Sequence, residues 1–123
     1  MKIEKCEEGT VTVVALEGVI RLGESARSFS DYLDDLLQEG APTVLLDFSG
    51  INHVDSTGLG ELVGYLQRFS EQGRRLALLR PHRRIHNLLK LTKLDEVFAI
   101  YDDRAQALAD LGLAESPPKS DPR

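Results

Sequence analysis

Six consecutive residues, Asp55-Ser56-Thr57-Gly58-Leu59-Gly60, carry the most readable chemistry in this chain. An acid, two hydroxyls and two glycines in that order mark the start of a helix, where free backbone N–H groups and the positive end of the helix dipole favour anions. A phosphate would be stabilised there, either on a bound molecule or attached covalently to Ser56. The plainer use of the same residues is capping, in which Asp55 or Ser56 accepts a bond from a backbone N–H and stabilises the helix by about 1 kcal/mol. Gly58, Gly60 and Gly64 each cost about 1 kcal/mol relative to alanine in a helix interior. Keeping all of them implies that backbone is approached closely on this helix, by a docking partner or by another element of the same domain.

Catalytic arrangements fit poorly. A nucleophilic serine on a strained elbow needs Gly-x-Ser-x-Gly, and Val54 and Asp55 stand in its first two places. His53 is too near Ser56 in sequence to serve dependably as its base, while His82 and His86 lie in a basic stretch where exposure is the default. Asp47 and Asp55 could bind Mg²⁺ or accept phosphate as in a receiver domain, but the strand before them ends in a single Glu17 where an acidic cluster would be needed. Asp47 is therefore read as structural or as part of a switch loop. Neither a Walker A sequence nor Gly-x-Gly-x-x-Gly is present. The lone Cys6 excludes an intramolecular disulfide and a cysteine-type metal site. The expectation is a non-enzymatic protein with no catalytic residues, metal or cofactor.

The elements that position Ser56 follow from periodicity. Short apolar runs at residues 43–48, 75–80 and 96–101 alternate with helical spacing, the pattern of parallel strands joined by helical crossovers. Residues 10–17 are β-branched and bounded by Gly9 and Gly18, so they predict a strand paired with residues 3–6 across a turn at Glu8-Gly9. A first helix should run from residue 24 or 25 to 39, with Ala26, Phe29, Leu33, Leu36 and Leu37 inward, an acidic outer face, and Gly40 and Pro42 ending it. The second opens at residues 55–57, turns Leu59, Leu62, Val63, Leu66 and Phe69 inward, and stops at Gly73. The third opens with Pro81 in its first turn and buries Ile85, Leu88 and Leu89; the last, at residues 103–111, uses Ala107, Leu108 and Leu111. The fold class is α/β, with a mixed, mostly parallel sheet, an amino-terminal hairpin and about four helices. Residues 1–112 form one domain, and residues 113–123, with three prolines, are expected to be a disordered tail.

Composition sets the outer bounds. At 123 residues, 41% hydrophobic and 28% charged, the chain has enough apolar material for one core and too much for a disordered protein. No apolar run approaches the roughly 18 residues of a membrane span, and the start, Met1-Lys2-Ile3-Glu4-Lys5, turns acidic where a signal peptide would turn apolar, so a soluble, cytoplasmic protein is expected. The net charge of −5 is unevenly spread. Residues 74–93 hold Arg74, Arg75, Arg80, Arg83, Arg84, Lys90 and Lys93 and no acid, which leaves 8 cations against 20 acids elsewhere. Without aromatic residues between them, these cations read as a solvated helix face or a protein-docking patch, not a nucleic-acid site.

The hexapeptide and the preceding Val44-Leu45-Leu46-Asp47-Phe48-Ser49-Gly50 resemble the STAS domain of bacterial anti-sigma factor antagonists. The likeness continues through Gly73-Arg74-Arg75-Leu76-Ala77-Leu78, residues 88–98 and the closing helix, so it covers nearly all of the chain before the tail. It implies the SpoIIAA-like STAS fold, with Ser56 as phosphoacceptor and Asp55, Thr57, Gly58, Leu59, Gly60 and Gly64 as partner-binding residues. By the same resemblance, the unphosphorylated protein would bind an anti-sigma factor that is also a serine kinase and free a sigma factor. Phosphorylation would end that binding and a serine phosphatase would restore it, with no direct nucleic-acid contact. The alternative is a non-enzymatic STAS docking subunit of a larger signalling or lipid-transport assembly; a receiver-like domain using Asp47 ranks third. Lys93 stands where the family usually has a glycine, which bears on the end of the third helix.

Overall fold

The β-branched opening segment folds as a hairpin in the computed structural model, which describes residues 1–96 and 98–115. Strand β1 (Lys2–Glu8) runs antiparallel to β2 (Val11–Ile20) across Gly9-Thr10, and Gly9 takes the left-handed φ of 64° that this tight turn requires. Then follow α1 (Glu24–Glu39), β3 (Thr43–Val54), α2 (Ser56–Glu71), β4 (Arg75–Leu79), α3 (Arg83–Leu91), a 3₁₀ turn (Leu94–Glu96), β5 (Ala99–Tyr101) and α4 (Arg104–Glu115). The strands lie in the order β1-β2-β3-β4-β5, all parallel beyond the hairpin. Successive crossovers step one place in the same direction, so their common right-handedness puts α1, α2 and α3 on one face.

Both faces of the central strands are therefore covered, which is why they read as continuous apolar runs. Val14, Leu46 and Leu78 pack under Phe29 and Leu33 of α1, Leu62 and Phe69 of α2, and Leu89 of α3. On the opposite face Val13, Leu45 and Leu79 pack under Ala107 and Leu111 of α4. The mixed sheet, hairpin and helices agree with the sequence reading, and among the described residues no helix is long and apolar enough to cross a membrane.

Several boundaries differ. Strand β3 was expected to end near residue 48 but continues to Val54, because β2 also continues past Gly18 and pairs Glu17–Ile20 with residues 50–54. Two register irregularities in the β2–β3 pairing, each with an extra residue on β3, absorb the mismatch, and Gly50 permits the approach: a Cβ there would lie 2.7 Å from the Leu16 carbonyl oxygen. The polar look of Ser49-Gly50-Ile51-Asn52-His53 concealed the strand, although Ile51 is fully buried. Strand β5 shortens to three residues behind the 3₁₀ turn, and α3 begins after Pro81, with His82 at its cap. The α4 helix runs through Glu115, past the boundary drawn at residue 112; the rest of the expected tail lies outside the described residues.

Lys93 keeps the geometry that a glycine would supply. Its φ is 62°, and its N–H donates to the Lys90 carbonyl (3.1 Å) just beyond α3. A side chain in the left-handed region costs about 1–2 kcal/mol, partly offset by the greater freedom a glycine loses on folding. Lys93→Gly should therefore raise stability by about 0.5–1 kcal/mol in chemical denaturation. A destabilised variant would show that the lysine side chain contributes more than its backbone costs.

Candidate functional site

With β3 running to Val54, only Asp55 separates strand from helix, and its side chain is fully engaged. One carboxylate oxygen accepts from the Gly58 N–H (2.9 Å), capping α2; the other accepts from the Leu22 N–H (2.9 Å) in the loop between β2 and α1. Its own N–H donates to the Ile20 carbonyl (3.1 Å). One residue thus fastens the start of α2 to the end of β2. The backbone N–H bonds from Gly58 and Leu22 hold the Asp55 carboxyl below the usual carboxylate range.

A folded-state value below the unfolded one means that the unfolded chain binds the proton more readily, so this contribution is present above the unfolded value and is lost as pH falls through the folded one. The stability gap between wild type and Asp55→Ala should accordingly be full at neutral pH and shrink under acid conditions below about pH 4. Denaturant titrations at several pH values would measure it; a gap that does not change with pH would rule out the carboxylate as its source.

Ser56 is left free by this arrangement. It is the first residue of α2, exposed, and its hydroxyl has no hydrogen-bond partner among the described residues. Of the two capping candidates in the sequence, Asp55 takes the role. Thr57 and Leu59 are half-buried; Gly60 is exposed and Gly64 half-buried, and an added Cβ at either glycine would meet nothing within 4 Å. Gly58 differs, because a Cβ there would lie 2.7 Å from the Ile20 carbonyl oxygen and 3.0 Å from a Val54 methyl. Its glycine is required by packing inside the domain, whereas Gly60 and Gly64 leave the outer side of α2 bare.

Asp47 sits lower on β3, where its carboxylate accepts from the Ser49 N–H (3.0 Å) and hydroxyl (2.7 Å), a local turn that steadies the strand at the irregular pairing. Among the described residues no hydrogen bond joins Ser56 to His53, and no cluster of three or more His, Cys, Asp or Glu could hold a metal.

Sequence reasoning passed over three contributors. Leu22 is 77% exposed, held by its N–H to Asp55; an apolar residue in the polar turn Arg21-Leu22-Gly23 was the available signal. Tyr65 is buried in the core, its hydroxyl 3.0 Å from that of Ser30, and it turns α2 so that Leu59, Val63 and Leu66 are only partly covered. Burial raises the Tyr65 hydroxyl above its ordinary value. Arg74, pooled with the basic stretch, instead caps α1: its guanidinium donates to the carbonyls of Leu36 (2.9 Å), Leu37 (2.9 Å) and Ala41 (2.8 Å).

Fold and site together define an α/β module that offers an exposed helix start. The chain belongs to the STAS domain family, whose model matches residues 2–107. A Thermotoga neapolitana protein, provisionally named an anti-sigma factor antagonist homolog, is 34% identical over 72% of this chain and 79% of its own length. The crystal structure of a provisionally named anti-sigma factor antagonist from Thermotoga maritima superposes with a TM-score of 0.83 at 26% identity, covering 89% of this chain and 94% of that one. The Bacillus protein SpoIIAA, solved in its phosphorylated form, shares the fold at 16% identity, with a TM-score of 0.72 over 89% of this chain and 99% of its own. The chain is thus a member of the anti-sigma factor antagonist group of STAS proteins.

Proposed function

We propose that the chain works by partner switching: unphosphorylated, it binds an anti-sigma factor that is also a serine kinase and so releases a sigma factor. Phosphorylation of Ser56 ends that binding, and a serine phosphatase restores it. The observation that carries this reading is the division of labour at the helix start, where Asp55 supplies the cap and Ser56 is left exposed with an unengaged hydroxyl. A kinase can reach that oxygen without unfolding anything, and the product dianion would sit at the positive end of α2. Relatives bearing the name anti-sigma factor antagonist, and a SpoIIAA structure in phosphorylated form, support the class of partner and the kind of modification. The protein is read as cytoplasmic, where sigma factors act.

Phosphotransfer from ATP by the anti-sigma factor kinase of the same organism tests the acceptor. Peptide mass spectrometry should place the phosphate on Ser56, and Ser56→Ala should abolish it. Phosphate on Thr57 or Asp47 instead would refute the assignment. Failure of any transfer, with stable binding retained, would favour a constitutive docking subunit of a larger assembly.

A further inference from the structure

The cations of residues 74–93 do not act together. Arg74 is committed to α1, and Arg80 donates through Nε to the Asp102 carbonyl at 3.0 Å. Arg83, Arg84, Lys90 and Lys93 have no ion-pair or hydrogen-bond partner for their side chains among the described residues, in a chain whose other segments are strongly acidic. Arg83 and Arg84 border a groove of about 610 Å³ between the end of β3 and α3. Val54, Ile85 and Leu88 give it an apolar lining, His53 stands on the β3 side, and no carboxylate among the described residues lines it. At one end Leu91 is 83% exposed and adds an open apolar side chain to the border. Arg84, Leu88 and Leu91 share one face of α3, so apolar and cationic groups face the groove together. Val54 also lies two residues before Ser56, so the groove opens beside the helix start.

An apolar trough with an unneutralised cationic border is complementary to a helix or strand that presents apolar side chains between carboxylates. A nucleic-acid strand fits less well, because no aromatic residue lines the groove for base stacking. We propose that the groove receives an acidic amphipathic segment of the protein that acts on Ser56, and that Arg83 and Arg84 help to select that partner. The proposal rests on the Ser56 reading, but the groove can be tested without it.

Isotope-labelled protein would be titrated by NMR with a short helical peptide of leucines and glutamates, with the same peptide carrying lysines for glutamates, and with an oligothymidylate. The glutamate peptide should shift the amides of Val54, Ile85, Leu88 and Leu91. The double variant Arg83→Glu/Arg84→Glu, both positions exposed, should bind it at least about tenfold more weakly. The titration needs neither kinase nor phosphate, which separates failure of the groove from failure of the switch. Equal binding of the lysine peptide, tighter binding of the oligothymidylate, or shifts located elsewhere would overturn the proposal. Concentration-dependent shifts of the same amides without peptide would also overturn it, assigning the groove to a second copy of the chain.

Discussion

A phosphoryl group on Ser56 should weaken binding to the anti-sigma factor about a hundredfold, a loss of about 2.8 kcal/mol. The group adds a charge of about −1.5 to −2 on the outer surface of α2, next to the Asp55 carboxylate, whose own charge is held in place by its bonds to Gly58 and Leu22. A partner seated over Leu59, Gly60 and Gly64 would have to desolvate that dianion or withdraw from it. The fold should survive, because phosphate at a helix start interacts favourably with the free N–H groups there. Ser56→Ala should therefore leave affinity near that of the unphosphorylated wild type, and Ser56→Asp should fall between the two, since one carboxylate only partly imitates the dianion. Calorimetric titration of the anti-sigma factor with each form would measure the series. Equal affinities for Ser56→Asp and wild type, with the phosphorylated protein also unchanged, would defeat the charge-based account.

Arg74→Ala should be the most damaging loss of a single charged side chain, destabilising the fold by roughly 2–4 kcal/mol. The last carbonyls of α1 have no N–H donor within the helix itself; Gly40 and Ala41 N–H groups donate to Leu37 and Leu36, and the Arg74 guanidinium donates to the same two carbonyls and to that of Ala41. Its guanidinium carbon also lies 5.0 Å from the Phe69 ring centroid, so the side chain joins α1 to α2. Arg74→Lys should recover only part of the loss, because an ammonium cannot present the planar fork that spans three carbonyls. The site is at the end of the sheet where β3 and β4 begin, away from Ser56, so phosphorylation of the folded variant should proceed as in wild type. A loss below about 1 kcal/mol in urea denaturation would mean that water replaces the guanidinium at little cost.

Much of the fold was legible because local signals and global packing agree. Helix α1 begins and ends within a residue of its expected limits, since its inward stripe and Gly40 are independent markers of the same element. The extension of β3 was hidden, because residues 49–53 are mostly polar and acquire strand geometry only through pairing with the end of β2. Tyr65 was missed for a related reason: its hydroxyl makes it look amphipathic, and only the Ser30 hydroxyl on α1 allows it to be buried. At the candidate site the sequence named two capping candidates but could not choose between them. Asp55 and Ser56 are equally good caps by type, and the choice falls to Asp55 because the Leu22 N–H, 33 positions away, binds its second oxygen. The glycines divide similarly, since Ile20 and Val54 require Gly58 to lack a side chain whereas Gly60 and Gly64 face open space.

Peptide mass spectrometry on the protein purified from its own cells, in growth and under stress, tests the central claim most directly. The account predicts phosphate on Ser56 whose occupancy changes with condition. An unmodified Ser56 under every condition in which the anti-sigma factor kinase is present would contradict it.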